Sequence, residues 1–274
     1  MDMMLVLGIL AAIFFTSLTL ICLYRENINV KFFNGVFIVL DVVFYFVWNV
    51  GMYEYGWLED GFETLGNISP LMFTIIPLTC FMKGKVKDYA YSAIAFLWVG
   101  MFVALFVSPE YSYIVSYNTD ASVVYTGEAL CHMLASLFGI YLILTEQVKI
   151  DLSTLLKGAA FLYSIILFGV FLNYFFHKRH FGMDPYGDYS IYMIDIFGTF
   201  EATFIAYLLG VFVVLTIGMQ AGDALKRLTH TKKAEMLQKP ILEETEDENG
   251  EKEEDLTKKT AGNDNAWWLP YVKK

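Results

Sequence analysis

Charge and proline are the two things this 274-residue chain has least of where it is apolar. Only 18% of its residues are charged, against 57% apolar and 17% aromatic, and the mean hydropathy is +0.50. A composition so poor in charge points to an integral membrane protein. Of the six prolines, only Pro70 and Pro77 interrupt an apolar run, so the other runs can continue as unbroken helix. The three cysteines, Cys22, Cys80 and Cys131, all lie in apolar stretches. Their odd number and their placement argue against a disulfide framework. The chain has no basic surface of the kind that binds nucleic acid. It also has no phosphate-binding loop, no HExxH, no dinucleotide fingerprint and no paired CxxC, so neither a cofactor nor a metal is expected.

What is present is a series of apolar runs near 3–23, 32–53, 67–82, 89–107, 123–145, 155–176 and 197–219. Most are close to the roughly 20 residues that a membrane-crossing helix needs. The expected fold is therefore all-α, a polytopic bundle of about seven spans over residues 1–222 in the cell membrane. The first run is read as an uncleaved helix, because Asp2 stands where a basic leader would be and Arg25 follows it. Arg25, Lys31, Lys83, Lys85, Lys87, Lys149 and Lys157 follow runs one, three and five, whereas the loops after runs two and four carry acids and no base. By the positive-inside rule this alternation puts the N-terminus outside and the C-terminus in the cytoplasm. Lys178 and Arg179, after run six, break the pattern.

The formal charge of −10 is unevenly spread: residues 223–274 carry 12 acids and 10 bases, the rest 17 acids and 9 bases. A mixed-charge stretch at 223–240 reads as a juxtamembrane helix. Beyond it, the acidic run from Glu243 to Asp255 and the Trp267-Trp268 end read as a solvated, largely disordered tail that could recruit a cytoplasmic partner. Gly218 and Gly222 form a GxxxG that permits close helix packing.

Ionisable groups at membrane depth are costly and usually face a protein interior or a wet cavity. Glu128 and His132 stand four apart and so share a helix face. His132 falls about 14 Å from the outer end of its run and Thr74 about 10 Å from that of run three, with Cys80 about 20 Å down. Asp41 lies near the middle of run two. A hydroxyl or thiol becomes a useful nucleophile when a base takes its proton, and histidine titrates in the right range. A carboxylate on the other ring nitrogen would fix the tautomer. Thr74 or Cys80, His132, and Asp41 or Glu128 therefore make a candidate set for acyl transfer on a lipid ester. The plainer reading is that His132 and Glu128 only bond neighbouring helices. His177 and His180, beside Lys178 and Arg179 with Asp184 and Asp188 nearby, read as interfacial anchors rather than a metal site. Asp195 and Glu201 could line a polar vestibule.

Several short motifs occur in an order resembling one known group. Ile68-Ser69-Pro70-Leu71-Met72-Phe73-Thr74 stands where the YwaF-like integral membrane family, with its animal transmembrane lipid acyltransferase relatives, carries Leu-Pro-Leu-His-Leu-Cys. Ser108-Pro109-Glu110-Tyr111 resembles the short turn that follows, Leu130-Cys131-His132 the later histidine, and Asn173-Tyr174 the family's Asn-Tyr pair. The resemblance covers roughly residues 30–220. It implies a six- or seven-span bundle acting on membrane lipids with a nucleophile–histidine pair, and Asn173 and Tyr174 as substrate-binding residues. Counted from the proline, the family cysteine falls on Thr74 and its signature histidine on Met72. More distantly similar androgen-induced-gene-like hydrolases use threonine with histidine, which keeps Thr74 in play. Two other classes stay open beside a lipid acyltransferase or ester hydrolase. Asp41, Glu128, Glu201 and the proline-broken run also suit a small-solute or proton-coupled transporter, and the tail suits a non-catalytic scaffold.

Overall fold

The computed structural model describes residues 3–54, 68–107, 122–176 and 198–246. Within them the apolar runs become seven helices: α1 Met3–Tyr24, α2 Val30–Glu54, α3 Ile68–Leu78, α4 Gly84–Val107, α5 Ser122–Leu144, α6 Leu152–Phe176 and α7 Phe200–Glu246. No strand occurs among the described residues. Five helices contain a stretch long and apolar enough to cross a membrane, namely Val30–Gly51, Gly84–Phe106, Thr126–Leu144, Leu152–Phe176 and Phe200–Thr229. Gly8–Tyr24 and Ile68–Leu78 are shorter apolar helices. An all-helical solution is what a bilayer demands, because the helix satisfies every backbone N–H and C=O within one segment.

Burial divides the helices by role. In α5, 89% of the apolar window is buried, against 11% in α2, so α5 is the centre and α2 lies at the periphery. The outward side of α2 exposes Val39, Val42, Val43, Phe46 and Val50 as one apolar face, which in water would be an aggregation surface and in lipid is solvated. Around α5 the packing is close because small residues meet backbone. A Cβ on Gly139 of α5 would come 2.7 Å from the Ile94 carbonyl oxygen of α4. On Gly158 of α6 it would come 3.0 Å from the Ala93 nitrogen, and on Gly218 of α7 2.8 Å from the Phe96 carbonyl carbon. Three helices thus seat a glycine within about one turn of α4, and Trp98 locks the last by donating its indole N–H to the Gly218 carbonyl at 2.9 Å. Ser136 of α5 donates to the Trp98 carbonyl at 2.7 Å.

A polar knot closes one end of the bundle. The Asn34 and Gln147 amides face each other, with Asn34 Nδ2 donating to Gln147 Oε1 at 2.9 Å, and Asn34 Nδ2 also lies 3.3 Å from the Tyr91 hydroxyl. Gln147 Nε2 donates to Thr145 Oγ1 at 2.9 Å, and the Tyr141 hydroxyl to the Val30 carbonyl at 3.2 Å. Next to it, Glu146, in the turn after α5, adopts a left-handed conformation with φ 59°, and its carboxylate meets Lys226 Nζ at 2.6 Å. The following helix starts at an Asp cap. Asp151 Oδ1 accepts the Thr154 amide at 2.7 Å, and that bond holds the exposed carboxyl below its ordinary value.

The third run departs from its expected length. It reads as a span over 67–82, but α3 ends at Leu78 after 11 residues, about 16 Å of rise and too short to cross a bilayer. Pro77 supplies no amide, and the chain turns over directly afterwards, with Cys80 N bonding the Pro77 carbonyl and Phe81 N the Leu78 carbonyl. The chain divides into two compact units, Met1–Lys226 and Arg227–Lys274. In the second, helix continues through Glu246, and the acidic, tryptophan-ended segment from 247 onward lies outside the described residues.

Candidate functional site

The sequence candidates converge on the seam between α2 and α5. The two helices run antiparallel with a fixed register. Gly51 abuts Val124, Gly127 abuts the Trp48 backbone, and the Phe37 ring lies 5.1 Å from those of Phe138 and Tyr141. That register carries Asp41 opposite the 131–135 stretch of α5. Accordingly, Asp41 and Glu128 both lie within electrostatic range of the Cys131 thiol. Asp41 is 0% exposed, and neither carboxyl oxygen has a hydrogen-bond partner. One stripe of α2 carries Asp41, Tyr45 and Trp48, at the i, i+4, i+7 spacing of a single helix face. The Trp48 indole N–H is likewise buried without a partner.

α3 wedges its first turns against this stripe. The Thr74 hydroxyl lies 3.0 Å from the Pro70 carbonyl oxygen and 3.2 Å from the Tyr45 hydroxyl. It has one proton, so it donates to the carbonyl and accepts from the tyrosine. His132 is 2% exposed, and its Nδ1 lies 3.0 Å from the Glu128 carbonyl oxygen. A carbonyl can only accept, so Nδ1 carries the proton. That nitrogen is thus held by the backbone one turn earlier on the same helix. The residue of α3 facing His132 is Phe73, edge-on at 5.1 Å between ring centroids, and Phe73 also meets Trp48 at 6.0 Å. Thr74 and His132 therefore belong to one neighbourhood of α2, α3 and α5, but the Thr74 hydroxyl turns to α2 while the Phe73 ring covers the imidazole.

The remaining candidates are scattered. Cys80 is exposed in the turn after α3, its Sγ donating to the Pro77 carbonyl at 2.8 Å. Asn173 and Tyr174 point apart: Asn173 is fully buried, and Tyr174 is 44% exposed with its ring edge-on to Phe200. Glu201 is exposed in the first turn of α7. His177, His180, Asp184, Asp188, Asp195 and the Ser108–Tyr111 turn lie outside the described residues. Among those described, no group of three or more His, Cys, Asp or Glu is placed to hold a metal ion.

Sequence reasoning passed over Tyr45, Trp48 and Phe73, although the spacing of the first two from Asp41 could have found them. It also passed over a cavity of about 410 Å³ between α3, α4 and α7. Its wall includes Leu97, Gly100, Met101 and Gly210, with Ser69 and Tyr207 supplying the hydroxyls. A Cβ built on Gly210 would meet nothing within 4 Å, whereas one on Gly100 would meet Val214 Cγ1 at 2.9 Å, so Gly100 marks a close approach of α7 to α4.

No family model, no curated protein and no solved structure matches this chain.

Proposed function

We propose that this multi-pass membrane protein works on membrane lipids of the cell membrane by taking a single hydrocarbon chain into the cavity between α3, α4 and α7. The cavity carries the reading. Its volume, about 410 Å³, falls within the roughly 300–1,000 Å³ typical of ligand sites, and its wall is almost wholly apolar. It is bordered by two of the helices long and apolar enough to cross a bilayer, which supports a hydrocarbon occupant. Ser69, in the first turn of α3, is a hydroxyl suited to the ester end of such a chain.

Acyl transfer by Thr74 and His132, with Asn173 and Tyr174 holding substrate, is the finer chemistry that the motif resemblance suggests. The observed packing favours binding over transfer, because the Thr74 hydroxyl is committed to Pro70 and Tyr45, and Phe73 lies against the imidazole. A nucleophile needs its base within about 3 Å or one water.

The test is labelling of the purified protein in phosphatidylcholine vesicles that carry a diazirine on the acyl chain. Adducts are expected on residues 206–214 and should fall several-fold in Gly210→Leu, whose side chain enters open space. Labelling no heavier there than on the lipid-facing Leu167, Phe168 and Phe171 would defeat the reading. Phospholipid turnover that disappears in His132→Ala would instead establish acyl transfer.

A further inference from the structure

The buried carboxyl of Asp41 is a group that a hydrocarbon-binding cavity does not use. It lies on the α2–α5 seam, whereas the cavity lies among α3, α4 and α7. It is completely enclosed, and both oxygens lack a partner. An ionised carboxylate so placed would have neither hydration nor a countercharge, a situation proteins avoid by carrying the neutral acid. Among the described residues, the titratable groups along this seam can be named. Cys131 of α5 lies within electrostatic range of Asp41, Glu128 and His132 stand one turn and one residue from Cys131 on α5, and Tyr45, bonded to the Thr74 hydroxyl of α3, stands one turn along α2. None is a fixed cation. The hydroxyls of Tyr45 and Thr74, the unpartnered Trp48 N–H and the His132 imidazole continue from Asp41 toward the end of the bundle where α3 begins. Asp41 thus shares one face of α2, the least buried of the long apolar helices, with a row, or lane, of polar side chains that runs through Tyr45 to Thr74.

We propose that Asp41 is an exchangeable proton-binding site, loaded when α2 is seated on α5 and reached along the Tyr45–Thr74 lane. The reaction is a simple exchange. The carboxyl O–H bond breaks, the proton passes to a water molecule in the lane, and reprotonation from water reverses it with no other reactant consumed. Such a site lets proton occupancy govern whether α2 stays seated, because the charged form can leave this environment but not settle in it.

Infrared spectroscopy of the full chain in phosphatidylcholine vesicles tests this directly. At pH 7 a protonated-carboxyl C=O band is expected, shifted by carboxyl-¹³C aspartate labelling and missing in Asp41→Asn. The band should move on transfer to D₂O, and Tyr45→Phe should slow that movement several-fold. Asp41→Glu, which keeps the carboxyl, should retain a band insensitive to aspartate labelling, so the assignment survives if the asparagine variant does not fold. The proposal is overturned by the absence of the band in the parent protein, by its persistence in Asp41→Asn, or by a band that never exchanges. Neither the band nor its exchange depends on lipid labelling at Gly210, so the two readings fail separately.

Discussion

Replacing Gly218 by alanine should unseat α7 from α4. In an exposed helix this change is favourable by about 1 kcal/mol, because alanine is the better helix former. Here the added Cβ would overlap the Phe96 carbonyl oxygen and lie 2.8 Å from its carbonyl carbon, both rigid backbone atoms of a neighbouring helix. α7 must then move out by about an ångström, a kind of overpacking that costs about 1–3 kcal/mol. The movement also stretches the 2.9 Å bond from Trp98 to the Gly218 carbonyl, a further loss of about 1 kcal/mol. Set against the helix-propensity gain, the net destabilisation is about 1–3 kcal/mol. Thermal unfolding in detergent micelles should register it as a fall in Tm of roughly 2–10 °C. Gly210→Ala supplies the control, since its methyl meets nothing within 4 Å and should leave Tm unchanged or slightly higher. A Gly218→Ala protein as stable as the parent would refute the reasoning, because no rearrangement short of moving one backbone away from the other relieves that contact.

Other predictions follow from single contacts. Asp151→Ala removes the cap of α6 and should cost about 1 kcal/mol at neutral pH. Since the folded carboxyl is held below its ordinary value of 3.8, the cap's contribution is complete above that value and fades as pH falls below it. The Tm gap between parent and variant should therefore close in acid, and a gap independent of pH would contradict the assignment. Asn34→Leu takes the donor from the Gln147 amide oxygen at the α2–α5 end and should lower stability by about 1–3 kcal/mol, readable in the same melts. Tyr45→Phe takes one bond from Thr74 but leaves Pro70, so its stability cost should stay near 0.5–1.5 kcal/mol. A collapse of the fold in that variant would mean Tyr45 holds more than this hydroxyl pair.

The helices themselves were legible. Apolar runs read near 32–53 and 123–145 became Val30–Glu54 and Ser122–Leu144, because uninterrupted apolar sequence has one stable backbone form away from water. The mixed-charge stretch after 223 continues the helix of α7, since its residues are good helix formers. Rotation about the helix axis was not legible. Thr74 and His132 were placed at comparable levels, yet a helix turns about 100° per residue, so one position decides whether Phe73 or Thr74 faces the imidazole. Periodicity could not choose, because almost every side of α3 is apolar. The cavity was invisible for a different reason: it lies between α3, α4 and α7, helices whose pairing no single run encodes.

The central position of α5 has a consequence for how the protein is made. α2 and α4 are synthesised first, and the helix that buries their inward faces follows only after another stretch of chain. Until it arrives, Asp41 is presented to lipid, to the insertion machinery or to a helper protein, at a cost of about 2.5–3.5 kcal/mol for an aspartate at the middle of a helix. α2 is apolar enough to insert despite this, but it waits in the membrane as an unfinished half-seam. A nascent chain stopped short of Ser122 carries the same exposed acid permanently, and so bears its own mark for membrane quality control.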